Sequence, residues 1–209
     1  MLKLRTYKSA TNSTNMISQV IFQKLKKEYD TYETARRELI GVSNTALSKA
    51  KQAIFAVHRD DEKDAARLLA EVERTFKSLE PQFKKHDGLR WEGAYRAALE
   101  EYVEGKLFFE FLDTKRTVLW TPRGRSSVYV DADTYLAGLS DFTGELTRKA
   151  VQRATQDSAQ EVKQLAEAVR EVVEQLIKFD LTGYLRTKYD QAKQNLRRVE
   201  EVLYDIKMR

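Results

Sequence analysis

Apolar residues recur every three or four positions along most of the chain, the period of helices that bury one face. Ile17, Val20, Ile21, Leu25, Tyr29 and Tyr32, then Leu39, Ile40, Leu47, Ile54, Phe55 and Val57, predict one unusually long first helix. It would start from a cap at Asn12 or Ser13 and end at His58. Gly, Ser and Asn over 41–44 weaken a helix, so an interruption is expected there. Ala65, Leu68, Leu69, Val72 and Phe76 predict a second helix over about 61–79, stopped by Pro81. The third runs from Pro81 or Asp87 to Leu119, with a break near 87–88. Residues 121–130, TPRGRSSVYV, form the clear loop; the SVYV end could pair as a short strand but is not assigned as one. A fourth helix starts at Asp131 or Asp133 and reaches about Thr155. Val162, Leu165, Val169, Val172, Val173 and Leu176 mark another over 158–179, and Tyr184 to Ile206 a last one after Gly183. The expectation is an all-α protein, an antiparallel bundle of about six to seven helices forming one domain over 1–209, with residues 1–13 as a polar, flexible arm.

Composition agrees and narrows the chemistry. Eight Gly and two Pro among 209 residues are too few for a turn-rich sheet protein. The absence of cysteine excludes disulfides, thiolate metal sites and cysteine nucleophiles. No run approaches the roughly 20 apolar residues of a spanning helix, and the N-terminus lacks a signal-peptide core, so a cytoplasmic protein with no membrane partner is expected. The net charge of +5 suits a polyanionic partner but is modest for this length, so the distribution of charge has to decide.

One stretch stands out, YRAALEEYVEGKLFFEFLDTKRTVLW at 95–120. Steps of three and four give a face of Ala94, Ala97, Glu101, Glu104, Phe108 and Phe111, two acids in apolar surroundings. Glu100 and Glu110 are assigned instead to a solvated face. Burying an ionised carboxylate among Ala and Phe costs on the order of several kcal/mol unless something compensates. Asp141 and Glu145 share one side of a later helix, with Gly138 and Gly144 beside them as small residues permitting close approach. Four acids on two helices suggest a carboxylate-lined metal site. Interhelical salt bridges from Glu101 and Glu104 to Arg96, Arg148 or Lys149 account for the spacing equally well. A ferritin-like di-iron centre would require Glu-x-x-His, which neither Glu101 nor Asp141 begins.

Four segments carry a resemblance: AIFAVHR at 53–59, ALEEYVEG at 98–105, YLAGLSDFTGELTR at 135–148 and YDQAKQNLRRVEEVLYDIKMR at 189–209. Together they resemble the translin/Trax family of nucleic-acid-binding and RNA-cleaving proteins. The resemblance implies an all-α, translin-like subunit assembling into a hollow octamer around RNA. Trax-type chains carry an acidic cluster and cleave with a divalent metal, whereas translin-type chains bind without those acids. Glu101, Glu104, Asp141 and Glu145 match the acids of the cleaving type, while TPRGRSS stands where the family has a longer insertion. The implied activity is Mg²⁺-dependent endoribonuclease cleavage of single-stranded or unpaired RNA, with Mn²⁺ as an alternative ion; oxygen ligands plus water suit Mg²⁺ without histidine. Glu101 and Asp141 are expected as ligands and Glu104 or Glu145 as the base, Glu104 being favoured because apolar Phe108 beside it would raise its pKa, with Ala97 and Gly138 as the close-packing pair.

RNA contacts are expected from Arg36, Arg37, Lys49, Lys51, His58 and Arg59, and from Lys84, Lys85, Arg90, Trp91 and Arg96, although lysine-rich helical faces are often only solvated. Trp91 or Tyr95 would stack an unpaired base. The apolar stripes over 158–179 and 184–206 are read as interfaces of the homo-oligomer. Two other readings stay open: a translin-like binder without cleavage, and a helical scaffold with no nucleic-acid role.

Overall fold

The stripes close on one another as seven α-helices and one 3₁₀ turn, in a computed structural model that describes residues 18–115, 128–156 and 158–208. In chain order these are α1 (Gln19–His58), α2 (Glu62–Ser78), α3 (Glu80–Lys85), the 3₁₀ turn (Asp87–Trp91), α4 (Gly93–Thr114), α5 (Ala132–Ala154), α6 (Ala159–Leu176) and α7 (Gly183–Lys207). Among the described residues there is no strand, and no helix is long and apolar enough to cross a membrane. The N-terminal arm, the caps at Asn12 and Ser13 and most of the 121–130 loop lie outside the described residues.

Two helix starts follow the expected chemistry. Asp61 accepts a hydrogen bond from the Asp64 amide at 3.1 Å to cap α2, and Asp131 accepts from the Thr134 amide at 3.0 Å to cap α5. Pro81 does not end a helix so much as start one, sitting in the first turn of α3 where its missing N–H costs nothing. The expected break near 87–88 is the 3₁₀ turn.

Elsewhere packing overrides local preference. α1 runs for 40 residues through 41–44 without interruption. Ser43, Ala46, Ala50 and Ala53 are buried there, and the packing of α1 on α2 and α4 outweighs the cost of one glycine, about 1 kcal/mol. α4 ends at Thr114, where Lys115 turns into the left-handed region at φ 56°, and the expected end at Leu119 lies outside the described residues. The stripe on α6 faces inward: Val162, Leu165, Val169, Val172 and Leu176 are buried within the subunit, as are Tyr189, Ala192, Val199 and Val202 of α7. The first stripe and the middle of the second are therefore core, while Tyr184 at the start of the second is exposed. The exposed apolar row lies instead on the first turns of α1, where Val20, Ile21, Phe22, Leu25 and Tyr29 face solvent.

The helices form two groups. α1, α2 and α4 pack on one another, as do α5, α6 and α7, and the contact of α4 with α5 joins them. At that seam a Cβ added to Gly138 would stand 2.8 Å from Val103 Cγ1 and 3.0 Å from the Glu100 carbonyl oxygen. The close approach is therefore to Glu100 and Val103 rather than to Ala97, which is exposed. A second tie crosses between α5 and the end of α1. Lys149, only 1% exposed, donates to the carbonyls of Val57 (3.3 Å) and His58 (3.1 Å) and to Asp60 (2.8 Å), and Gln152 donates to the His58 carbonyl at 3.1 Å. These donors serve the His58 carbonyl at the helix end and add to the bond that the Val57 carbonyl accepts from the Asp60 amide at 3.1 Å.

Gly138→Ala should destabilise by about 1–3 kcal/mol even though alanine is the better helix former, because the seam has no room for a methyl group. Gly41, with nothing within 4 Å, should show the reverse, Gly41→Ala gaining about 0.5–1 kcal/mol. Chemical denaturation of the two variants beside the wild type measures both signs.

Candidate metal and nucleic-acid site

The seam brings the four predicted acids into one neighbourhood. Glu101 and Glu104 come from α4 and Asp141 and Glu145 from α5, and their charges are close enough to act on one another. Glu104 is the deepest, 8% exposed, and among the described residues it has no hydrogen-bond or ion-pair partner. Burial pushes its carboxyl up to about 9, with Glu101, Asp141 and Glu145 adding to the effect. Asp141 is raised to about 6, again mainly by burial, with Lys188 opposing. Glu101 is raised for the same first reason, Lys51 opposing and Asp141 and Glu145 reinforcing.

Cations from three helices lean on the rim of this cluster. Lys51 of α1 lies 4.0 Å from Glu101, and His58, buried at the end of the same helix, hydrogen-bonds Glu145 through Nε2. Arg148 stands 3.8 Å from Glu145. Lys188 of α7 binds Glu100 at 2.6 Å and also pairs with Asp141, while the Tyr184 hydroxyl donates to Glu100 at 2.7 Å. Burial alone would lower the Lys188 pKa, but hydrogen bonds to Asp141, Glu100 and Tyr184 hold it above the usual lysine value. The predicted partners of Glu101 and Glu104 go elsewhere: Arg96 lies 3.8 Å from Asp131, and Lys149 caps α1. Among the described residues, no three Asp, Glu or His side chains converge as ready-made ligands of one ion.

Three assignments need correction. Glu100 is not on a solvated face; it turns to the seam and shares Lys188 with Asp141. Its spacing of four from Glu104 was as good a signal as the spacing of three from Glu101. His58 is a buried partner of Glu145 and not an exposed phosphate contact. Tyr95, 3% exposed, packs on Phe76 and Phe83 and is closed to a base. Lys188 and Tyr184 gave no signal beyond their i, i+4 spacing, since LRTKYD reads as an ordinary exposed helix start.

The remaining basic candidates divide by location. Lys51 belongs to the acid site, and Arg59 is exposed just beyond His58. Arg36 is paired with Glu92 at 2.7 Å, Lys49 with Glu71 at 2.8 Å, and Arg90 with Glu80 at 2.6 Å over the Phe83 ring. These three charges are largely spent within the subunit. Arg37, Lys84 and Lys85 are exposed. Trp91, 63% exposed, carries the Arg96 guanidinium 5.7 Å from its ring centroid and offers an open stacking face.

An all-α bundle with an acidic seam between two helix groups is the class these features define. The Translin family model matches residues 20–209, and the chain belongs to that family. Translin-associated protein X of Rattus norvegicus is 22% identical over 242 residues, spanning 98% of this chain and 83% of that protein. Among solved structures, AfC3PO in complex with duplex RNA superposes with a TM-score of 0.80 at 19% identity, covering 90% of this chain and 96% of that one. Apo-NeC3PO does so with a TM-score of 0.77 at 22% identity, covering 88% and 96%.

The raised carboxyls set a pH dependence. Between the ordinary glutamate value and about 9, folded Glu104 keeps a proton that the unfolded chain has lost, so metal-free stability should fall as pH rises across that range. Glu104→Gln keeps the shape and removes the titration. Thermal melts in EDTA from pH 5 to 9 should show a declining Tm for the wild type and a flatter one for Glu104→Gln, which should be the more stable at pH 8.

Proposed function

We propose that this protein is a Trax-type, divalent-metal-dependent endoribonuclease subunit that acts on single-stranded or unpaired RNA within a homo-oligomer. The observation that carries the proposal is Glu104, a buried carboxyl group among three other acids that has no ion-pair partner among the described residues. Ionising such a group is costly to a folded protein unless a guest cation offsets the charge. Glu101, Glu104, Asp141 and Glu145 would hold Mg²⁺ or Mn²⁺, an all-oxygen donor set suited to either ion. When bound, the ion supplies Lewis-acid polarisation of a phosphate oxygen and a more acidic water.

The chain's own residues do the rest. Glu104, protonated in its apolar surroundings near neutral pH, is the acid whose ionisation gains most from added positive charge, and once ionised it suits the role of base. His58 orients Glu145, and Lys188 orients Asp141 against Glu100. Lys51, Arg59, and Arg96 with Trp91 supply phosphate and base contacts on the outer rim. RNA binding also draws support from the shared fold of AfC3PO, which was solved with duplex RNA.

A second reading, a translin-like binder without cleavage, is favoured by one observation: Glu101, Asp141 and Glu145 each already have a positively charged or histidine partner. Incubating labelled single-stranded RNA with the protein in Mg²⁺ or in EDTA separates the two. Cleavage in Mg²⁺ that stops in EDTA is expected, and no cleavage in either, with salt-dependent binding intact, would establish the binder instead. Glu101→Gln and Asp141→Asn should abolish cleavage while leaving RNA affinity equal or higher, since each removes negative charge from a site that approaches phosphate.

For assembly, an octamer is the specific proposal, now supported by the solvent-facing row of Val20, Ile21, Phe22, Leu25 and Tyr29 on α1. Light scattering should give a mass about eight times 24.3 kDa, and Leu25→Glu should lower it. A wild type of 24.3 kDa at micromolar concentration would refute the assembly.

A further inference from the structure

Phe55 is out of place by the rules that build the rest of α1. It is 49% exposed near the buried end of a helix whose neighbours Ala53, Ile54, Ala56 and Val57 are all core, and it belongs neither to that core nor to the residues packed on its margin. An aromatic ring left in water contributes little to folding. What surrounds it explains the position better. Lys51, Phe55 and His58 stand at i, i+4 and i+7, one stripe of α1. The first of these reaches Glu101 and the last is bonded to Glu145. The ring between them therefore borders the acid cluster. From α5, Arg148 places its guanidinium 4.9 Å from the Phe55 centroid while lying 3.8 Å from Glu145.

We propose that Phe55 and Arg148 form a stacking platform for one unpaired nucleobase of single-stranded RNA beside the acid site, with Lys51 taking the adjoining phosphate. The chemistry matches the ligand at each point. The Arg148 guanidinium lies over the Phe55 ring, so a base can stack on the part of the ring left open to solvent or on the outer face of the guanidinium plane, which can also hold a phosphate. The ammonium of Lys51, itself exposed, stands 4.0 Å from Glu101, a loose pairing from which it can turn to an adjoining phosphate. A base in a duplex has both faces covered by its neighbours, so this platform selects unpaired strands. The proposal rests on the RNA reading above and adds to it a determinant of strand type. Phe55 positions the substrate and takes no part in the chemistry.

The test uses the full chain in EDTA, so that binding is read without cleavage. Wild type, F55A, F55L and F55W are titrated onto a single-stranded oligoribonucleotide carrying 2-aminopurine and onto a duplex of the same sequence. F55A and F55L should bind the single strand about ten- to a hundredfold more weakly and lose the quenching of 2-aminopurine that stacking causes. F55W should keep both, and duplex binding should be the same for all four proteins. Because the ring is half exposed and outside the core, melting temperatures should stay within a few degrees of wild type, which shows that the variants are folded. F55L binding the single strand as tightly as wild type would overturn the platform, since leucine keeps the apolar area but has no π face. A change of assembly mass in F55A would overturn it in favour of a contact between copies. Failure of the wild type to bind either oligonucleotide would overturn the RNA reading together with the platform.

Discussion

Negative charge held in the seam between α4 and α5 is the constraint to which the rest of the subunit answers. Like carboxylates repel one another more strongly as water is withdrawn, and withdrawing water is what the close contact of Gly138 with Val103 does. The surrounding helices respond from every side. α1 contributes a lysine and a histidine, and α7 contributes a lysine braced by a tyrosine. α5 provides an arginine on the same rim. Among the described residues the innermost acid, Glu104, forms no ion pair or hydrogen bond with any of these cations and feels Lys188 only at a distance. The bundle thus holds a site that it can nearly, but not fully, neutralise by itself.

This arrangement explains why the two helix groups differ in what they contribute. α1, α2 and α4 form the wall that carries the paired glutamates, with Ala46, Ala50 and Ala53 letting α1 pack closely. The other group, α5 to α7, buries long aliphatic stripes to hold α5 in place and to aim Lys188 back at the seam. Lys149 links the two by reaching the carbonyls that end α1. The backbone of His58, whose side chain meets Glu145, is thereby fixed by the helix that carries Glu145. Both ends of that short contact are set by the same helix.

Much of this was legible in the sequence wherever the signal is local. The helix start at Asp131, the helical periods and the interval of three or four between acids depend on residues close together in the chain, and they carry over into the structure. What escaped notice depends on distant residues. Lys188 looks like any exposed helical lysine until α7 is laid against α5, 47 residues away in the chain. An amphipathic stripe says that a face is buried but not against what, which is why the stripes of α6 and of the middle of α7 read as interfaces when they are core. The weak residues at 41–44 failed to break α1 because burial on two neighbouring helices is worth more than local propensity.

α1 has a mechanical consequence as well. A single uninterrupted helix carries both the projecting apolar row around Leu25 and the stripe of Lys51, Phe55 and His58 that borders the acids. The thirty residues from Leu25 to Phe55 span roughly 45 Å of rod with no hinge between them. A tilt of about 2° at one end is therefore felt as a displacement of about 1.5 Å at the other, by lever arithmetic on that length. Shifts of about 1 Å are enough to change rates a hundredfold when reacting groups must be aligned. Whatever grips the projecting end is coupled by stiffness alone to the geometry at the acids.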